Sequence, residues 1–151
     1  AASVIGLFQD TIERVVALAV LMPIVASMGG IAGTQSLTVL IRAMAMGQIN
    51  ERTEVWLVRR EILVSFINSL LWAAVIAVIA SYWFSDIRLG MIIAFAIVIN
   101  LITAGIAGAC LPLLLDRLDI DPALAGGVVL TTITDVVGFF AFLGLAAYFY
   151  R

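Results

Sequence analysis

The chain has 151 residues, 64% of them hydrophobic and only 12% charged, with mean hydropathy +1.21, which excludes a soluble globular domain and indicates a polytopic membrane protein. Net charge is -2 and lysine is absent, so no basic patch exists to recruit nucleic acid or an anionic membrane surface. Histidine is absent and Cys110 is the single cysteine, which excludes an intrachain disulfide and any metal site of imidazoles or several thiolates, but not one for a hard, oxygen-preferring cation.

Residues 1–8 are apolar but too short to span, and they lack the basic and small-residue features of a signal peptide. They read as the end of a longer helix, so the natural protein is expected to extend upstream. After the turn Gln9-Asp10-Thr11, with Asp10 or Thr11 suited to N-cap, a helix is expected over 12–41 (span A). Within it Pro23 leaves the Ala19 carbonyl without its usual partner, and the glycines that follow weaken the next turns. Broken backbone is tolerated in lipid only where protein or a water-filled cavity satisfies it. Two readings of this stretch stay open. Either Ser27, Gly29, Gly30, Gly33, Thr34 and Gln35 line a polar path, or Gly29 and Gly33 form a GxxxG pair for close helix packing.

The longest polar interval, Arg42 to Glu61, reads as a short interfacial helix and connector with Trp56 at headgroup depth; Glu51, Glu54 and Glu61 either meet cations or, as mixed charge more often does, form a solvated face. Span B is expected over 62–84, with Asn68, Ser65 and Ser69 bonding to a neighbouring helix and Tyr82 and Trp83 at the interface. The short hairpin Ser85-Asp86-Ile87-Arg88 makes span C, over 89–115, an antiparallel neighbour of span B; Pro112 frees the Gly108 carbonyl near its end. Asp119 and Asp121 resemble the start of a calcium loop, but the glycine and glutamate that an EF-hand requires are missing. Asp121 instead suits the N-cap of span D, over 122–150, with Pro122 at its first position.

Span D contains Thr131-Thr132-Ile133-Thr134-Asp135, which puts a carboxylate near the middle of an apolar run. An ionisable group there costs at least about 2.5 to 3.5 kcal/mol, so it marks function by default. Gly127, Thr131, Asp135, Gly138 and Phe142 fall on one helical stripe, a face better suited to a polar path than to lipid. Catalysis is excluded. An intramembrane aspartyl protease needs two carboxylates sharing a proton, and a serine or cysteine hydrolase lacks a histidine base here. A cation path is the better account: if two chains pair so that both Asp135 side chains face one axis, the ring offers two negative charges to a hydrated divalent ion. Protons then compete with metal for the same carboxylates. The structural alternative is a hydrogen-bonding clamp between Asp135 and Asn68, Asn100 or a threonine.

Arginines set the expected orientation. Arg42, Arg52, Arg59, Arg60 and Arg117 fall on one side and Arg14, Arg88 and Arg151 on the other, which places the A/B and C/D connections in the cytoplasm.

Pro23 through Gln35, read as Pro-x(5)-Gly-Gly-x-x-Gly-x-Gln, with Asp121-Pro122-Ala123 and Thr131-Thr132-x-x-Asp135-x-x-Gly138, resembles the transmembrane domain of the MgtE magnesium channels. The likeness covers nearly the whole chain. It implies an all-α membrane domain at the cell (inner) membrane: a homodimer with five helices per subunit, the first truncated here, and a cytosolic N-terminus. It also implies a central pore lined by spans A and D in which Asp135 holds hydrated Mg²⁺. On that reading Thr131, Thr132, Gly127 and Gly138 line the pore with the span A residues, and Mg²⁺, or Mn²⁺, Co²⁺ or Ca²⁺, is the ion bound and transported. Two positions depart from the pattern. Ile31 replaces an asparagine and Gly126-Gly127-Val128 replaces a Ser-Asn-Pro, which removes polar groups from the pore or its gate. The family's cytosolic magnesium-sensing domains are not in this chain. The expected function is a dimeric divalent-cation channel, the alternatives being a Na⁺- or H⁺-coupled exchanger and a non-conducting membrane anchor.

Overall fold

The computed structural model describes residues 1–150, apart from the side chains of Glu51 and Arg52; those side chains and Arg151, which the arginine and acid arguments above invoke, lie outside the described residues. The chain forms helices α1 (Ala2–Leu7), α2 (Gln9–Arg14), α3 (Ala17–Ala45), α4 (Glu51–Phe84), α5 (Ile87–Arg117) and α6 (Pro122–Phe149). Among the described residues four helices, α3 to α6, are long and apolar enough to cross a membrane. α1 and α2, with 6 residues each, are not.

The continuous helix expected over 12–41 is in fact divided. α2 ends at Arg14, Val15 leaves helical geometry at φ -128°, ψ 81°, and α3 starts at Ala17. Two successive β-branched residues, Val15 and Val16, stand at the break, where side-chain stiffness disfavours helix. α3 then continues through Pro23 to Ala45. α4 begins at Glu51 rather than near Ile62, so the second half of the polar interval is the first third of a long helix, while its first residues end α3 and only 46–50 connect the two. Its start is fixed by a reciprocal cap: the Thr53 amide donates to Asn50 Oδ1 at 3.0 Å, and the Asn50 amide donates to Thr53 Oγ1 at 2.8 Å. α5 is extended at both ends relative to 89–115, and Asp86 caps it by accepting from the Arg88 and Leu89 amides at 2.8 and 3.3 Å. Asp121 caps α6 through the Ala123 amide at 2.8 Å, with Pro122 at the first position.

α5 is the central helix. It packs on α3, α4 and α6; α3 also packs on α6, whereas α3 and α4 hardly touch. Lipid tails are as apolar as leucine, so helices associate through close packing of small residues rather than through a hydrophobic drive. α5 supplies them: Gly90 lies against Ser81 of α4, Gly105 against Ser65 of α4, and Gly108 against the Gly33 carbonyl and Ser36 of α3. Leu18, Leu21 and Val25 of α3 meet Ile93 and Ile97 of α5 and Phe139, Phe142 and Leu143 of α6 in the main core. Leu37, Leu111, Leu115 and Leu130 form a smaller cluster beside it. At the periphery Arg117 pairs with Glu54 at 2.9 Å, tying the end of α5 to the start of α4. The Tyr150 hydroxyl donates to the Asp86 carboxylate, tying the end of α6 to the α4–α5 hairpin.

Candidate functional site

α3 and α6 together border an open groove of about 830 Å³, lined by Ala26, Ser27, Gly30, Ile31, Thr34, Gln35, Thr38 and Val39 from α3 and by Thr131 and Asp135 from α6. The two motifs singled out in the sequence, far apart along the chain, therefore meet across one face. Asp135 is half-buried and, among the described residues, its carboxylate makes no hydrogen bond or ion pair. It is not clamped to Asn68, Asn100 or a threonine. Asn100 is committed elsewhere, donating through Nδ2 to the Val25 carbonyl at 2.8 Å.

The hydroxyls around the groove are oriented by their own helices. Thr34 donates to the Gly30 carbonyl at 2.7 Å and Thr38 to the Thr34 carbonyl at 2.8 Å. Thr131 donates to the Gly127 and Val128 carbonyls at 3.0 and 3.1 Å. A hydroxyl whose proton is used in this way keeps lone pairs for a cation or for the hydrogens of its water shell. The groove thus presents one carboxylate, an amide and hydroxyl oxygens, a set suited to a hard cation. Among the described residues no three acidic, histidine or cysteine side chains gather into a chelating cluster. One chain alone suits an ion that keeps most of its water, as Mg²⁺ does.

Other candidates lie elsewhere. A Cβ on Gly29 or Gly138 would stand 2.3 or 2.6 Å from Asn100 Nδ2, and one on Gly33 would stand 3.0 Å from the Leu130 side chain. These three glycines face the protein interior; Gly29 and Gly33 form a packing pair, and Gly30 between them opens on the groove. The stripe through Asp135 accordingly turns inward at Gly138, where α6 crosses α5 at Asn100. Gly127 has open space around it, and its backbone carbonyl holds Thr131 in place. Thr132 is exposed outside the groove and donates to the Val128 carbonyl at 2.8 Å.

The sequence favours a solvated face for Glu61 over a cation contact, and the solvated face is corrected by the structure. Glu61 is only 7% exposed and accepts a hydrogen bond from Ser36 Oγ at 2.9 Å. The signal was its spacing: Glu61, Ser65 and Ser69 follow one another at i, i+4 and i+8, and all three are buried. Asn68, expected to bond to a neighbouring helix, is exposed, and Ser69 donates to the Phe66 carbonyl of its own helix.

Membrane-length helices gathered on α5, with a carboxylate-bearing groove on one face, define a polytopic α-helical membrane protein. A family model described as MgtE, divalent cation transporter, matches residues 22–145. The chain is 35% identical over 147 residues to a magnesium transporter MgtE of Bacillus subtilis, covering 97% of this chain and 33% of that protein. It is 29% identical over 150 residues to a magnesium transporter MgtE of Enterococcus faecalis, covering 99% of this chain and 33% of that protein. It is 32% identical over 144 residues to a magnesium transporter MgtE of Thermus thermophilus, covering 95% and 32%. The chain belongs to the MgtE family of divalent cation transporters, and it spans about a third of the length of the curated relatives it matches.

Proposed function

We propose that this chain is the ion-conducting part of a divalent cation channel, which passes hydrated Mg²⁺ along the α3–α6 groove. The observation that carries the reading is the Asp135 carboxylate, which borders that groove beside Thr131 and opposite Gln35 with no partner of its own among the described residues. A half-buried charge at membrane depth without a partner is costly, and a passing cation offsets that cost. A second copy of the chain would close the open side of the groove and bring two Asp135 carboxylates to one axis, making a homodimeric pore with a ring of negative charge. Mg²⁺ binds there through its retained waters; Mn²⁺, Co²⁺ and Ca²⁺ share its preference for oxygen.

In this reading the assembled subunit has five membrane helices, one more than the four long apolar helices among the described residues. Arg42, Arg59, Arg60 and Arg117, in the helix ends that flank the α3–α4 and α5–α6 connections, support a cytoplasmic side for those connections. The anchor reading needs Asp135 as a helix clamp, and the absence of a hydrogen bond to it among the described residues speaks against that role. The test is divalent flux into liposomes that hold the purified protein, wild type against Asp135→Asn, with Mg²⁺, Mn²⁺, Ca²⁺ and Na⁺ as probes. Mg²⁺ flux should collapse in the variant while the dimer persists. Equal flux through both proteins would overturn the assignment of Asp135.

A further inference from the structure

Glu61 sits where a membrane helix does not ordinarily carry a charge. It is buried between α4 and α3, about 9 Å along α3 from Arg42 if Ser36, its partner, is taken as the reference and each residue rises about 1.5 Å. Its Oε2 accepts from Ser36. Its other carboxylate oxygen has no hydrogen bond among the described residues, and it is not an enclosed atom, so it opens on the adjacent cavity. That cavity, of about 230 Å³, is lined by Gln35, Ser36, Glu61, Ser65 and Asn68, with Arg60 as its one cation. Arg60 does not neutralise Glu61: its guanidinium lies over the Trp56 ring, 5.7 Å from the centroid, and the two residues form no ion pair.

We propose that this cavity is a binding site for one monovalent hard cation, held by the Glu61 carboxylate with hydroxyl and amide oxygens from Ser36, Gln35 and Asn68. Three observations support it. The donors are all oxygen, which selects hard cations. With Arg60 turned onto Trp56, the one Glu61 carboxylate balances one positive charge, whereas a divalent ion would leave a net charge in a low-dielectric site. The volume also holds several water molecules at about 30 Å³ each, so a partly hydrated ion fits. Gln35 borders both this cavity and the Asp135 groove, so the occupant lies one side chain away from the divalent path. The site is distinct from Asp135 and does not depend on the channel reading.

The experiment is equilibrium binding of radioactive Na⁺ to the purified full chain in detergent, with choline replacing other monovalent cations. Wild type should bind saturably at one Na⁺ per chain. Glu61→Gln keeps the oxygen that Ser36 bonds to and removes the charge; its affinity should fall by about tenfold or more, as expected on loss of a ligand charge or its support. Ser36→Ala should weaken binding less, and Glu54→Gln, a carboxylate on the same helix paired with Arg117, should leave it unchanged. The dimer fraction and unfolding temperature of each variant establish that it is folded. No saturable binding to wild type, or equal binding to Glu61→Gln, overturns the proposal. So does proton uptake that Na⁺ fails to displace, since the carboxylate would then hold only a proton. Because the readout is Na⁺ binding without flux, its failure leaves the Mg²⁺ reading untouched.

Discussion

Asn100 Nδ2 donates to the Val25 carbonyl oxygen at 2.8 Å, joining the middle of α5 to α3 one turn below the groove. The residue is 1% exposed, and its Oδ1 has no partner among the described residues. Gly29 of α3 and Gly138 of α6 close on either side of the amide, so a single side chain sets the crossing of three helices. Interhelical hydrogen bonds in membranes average about 0.6 kcal/mol and reach about 1.7. Asn100→Ala should cost at least that, because it also leaves a void, and the expected result is a lower unfolding temperature in detergent. Asn100→Asp should be worse, since it exchanges an amide donor for a buried charge facing a carbonyl.

The glycines flanking that amide make a sharper test. Gly29→Ala and Gly138→Ala each put a methyl within 2.3 and 2.6 Å of Asn100, and overpacking of this kind costs about 1 to 3 kcal/mol. Gly144, further along α6, meets only Phe8 at 3.8 Å, so Gly144→Ala should be neutral or gain the helix propensity that alanine has over glycine, about 1 kcal/mol. Thermal unfolding of the three variants in one detergent checks the order.

These contacts show what the sequence could and could not disclose. The spans were legible because uninterrupted apolar runs and the signals Asp121-Pro122 and Ser85-Asp86 mark where helices start and stop. Asp135 was legible because a charge inside such a run is costly. Gly29 and Gly33 were not assignable, because a glycine opens on a groove or a neighbour according to which helix lies opposite, and only the fold places Asn100 and Leu130 there. Glu61 was hidden by Arg59 and Arg60 beside it, since local composition reads as polar surface although one face of the helix turns inward. The break at Val15 has no proline or glycine to announce it.

The tie between Tyr150 and Asp86 predicts a pH dependence of stability. The Tyr150 hydroxyl, helped by the Leu89 and Arg88 amides, holds the Asp86 carboxyl below its ordinary 3.8 despite partial burial. Burial first, and the bond to Asp86 second, push Tyr150 from 10.0 up to about 12. The depressed carboxyl stabilises the fold above its ordinary value, and this is lost as pH falls through its lower folded value. The raised phenol stabilises below pH 10.0, and this is lost as pH rises towards about 12. Tyr150→Phe should therefore lower the unfolding temperature near neutral pH and flatten both the acid and the alkaline limbs. Limbs identical to those of wild type would show that the tie carries no weight.

Thr131 offers the closest control on how the groove treats its ion. Its hydroxyl proton is spent on the Gly127 and Val128 carbonyls, which leaves the oxygen's lone pairs free in a residue that lines the groove one turn from Asp135. On the proposed reading, a hydrated ion at Asp135 would present water hydrogens, and an acceptor at that point would orient the water shell without stripping it. Thr131→Val keeps the shape and removes the acceptor. Removing one such support costs about 10- to 100-fold in metal affinity at well-built sites. Mg²⁺ flux at low concentration should fall towards that range, and Thr131→Ser should restore most of it. Thr103 donates to the Ile99 carbonyl at 2.8 Å in the same manner, but on α5 and away from the groove. Thr103→Val should therefore leave Mg²⁺ flux near wild type, and an equal loss in both valine variants would mean that helix stability, rather than ion hydration, was being measured.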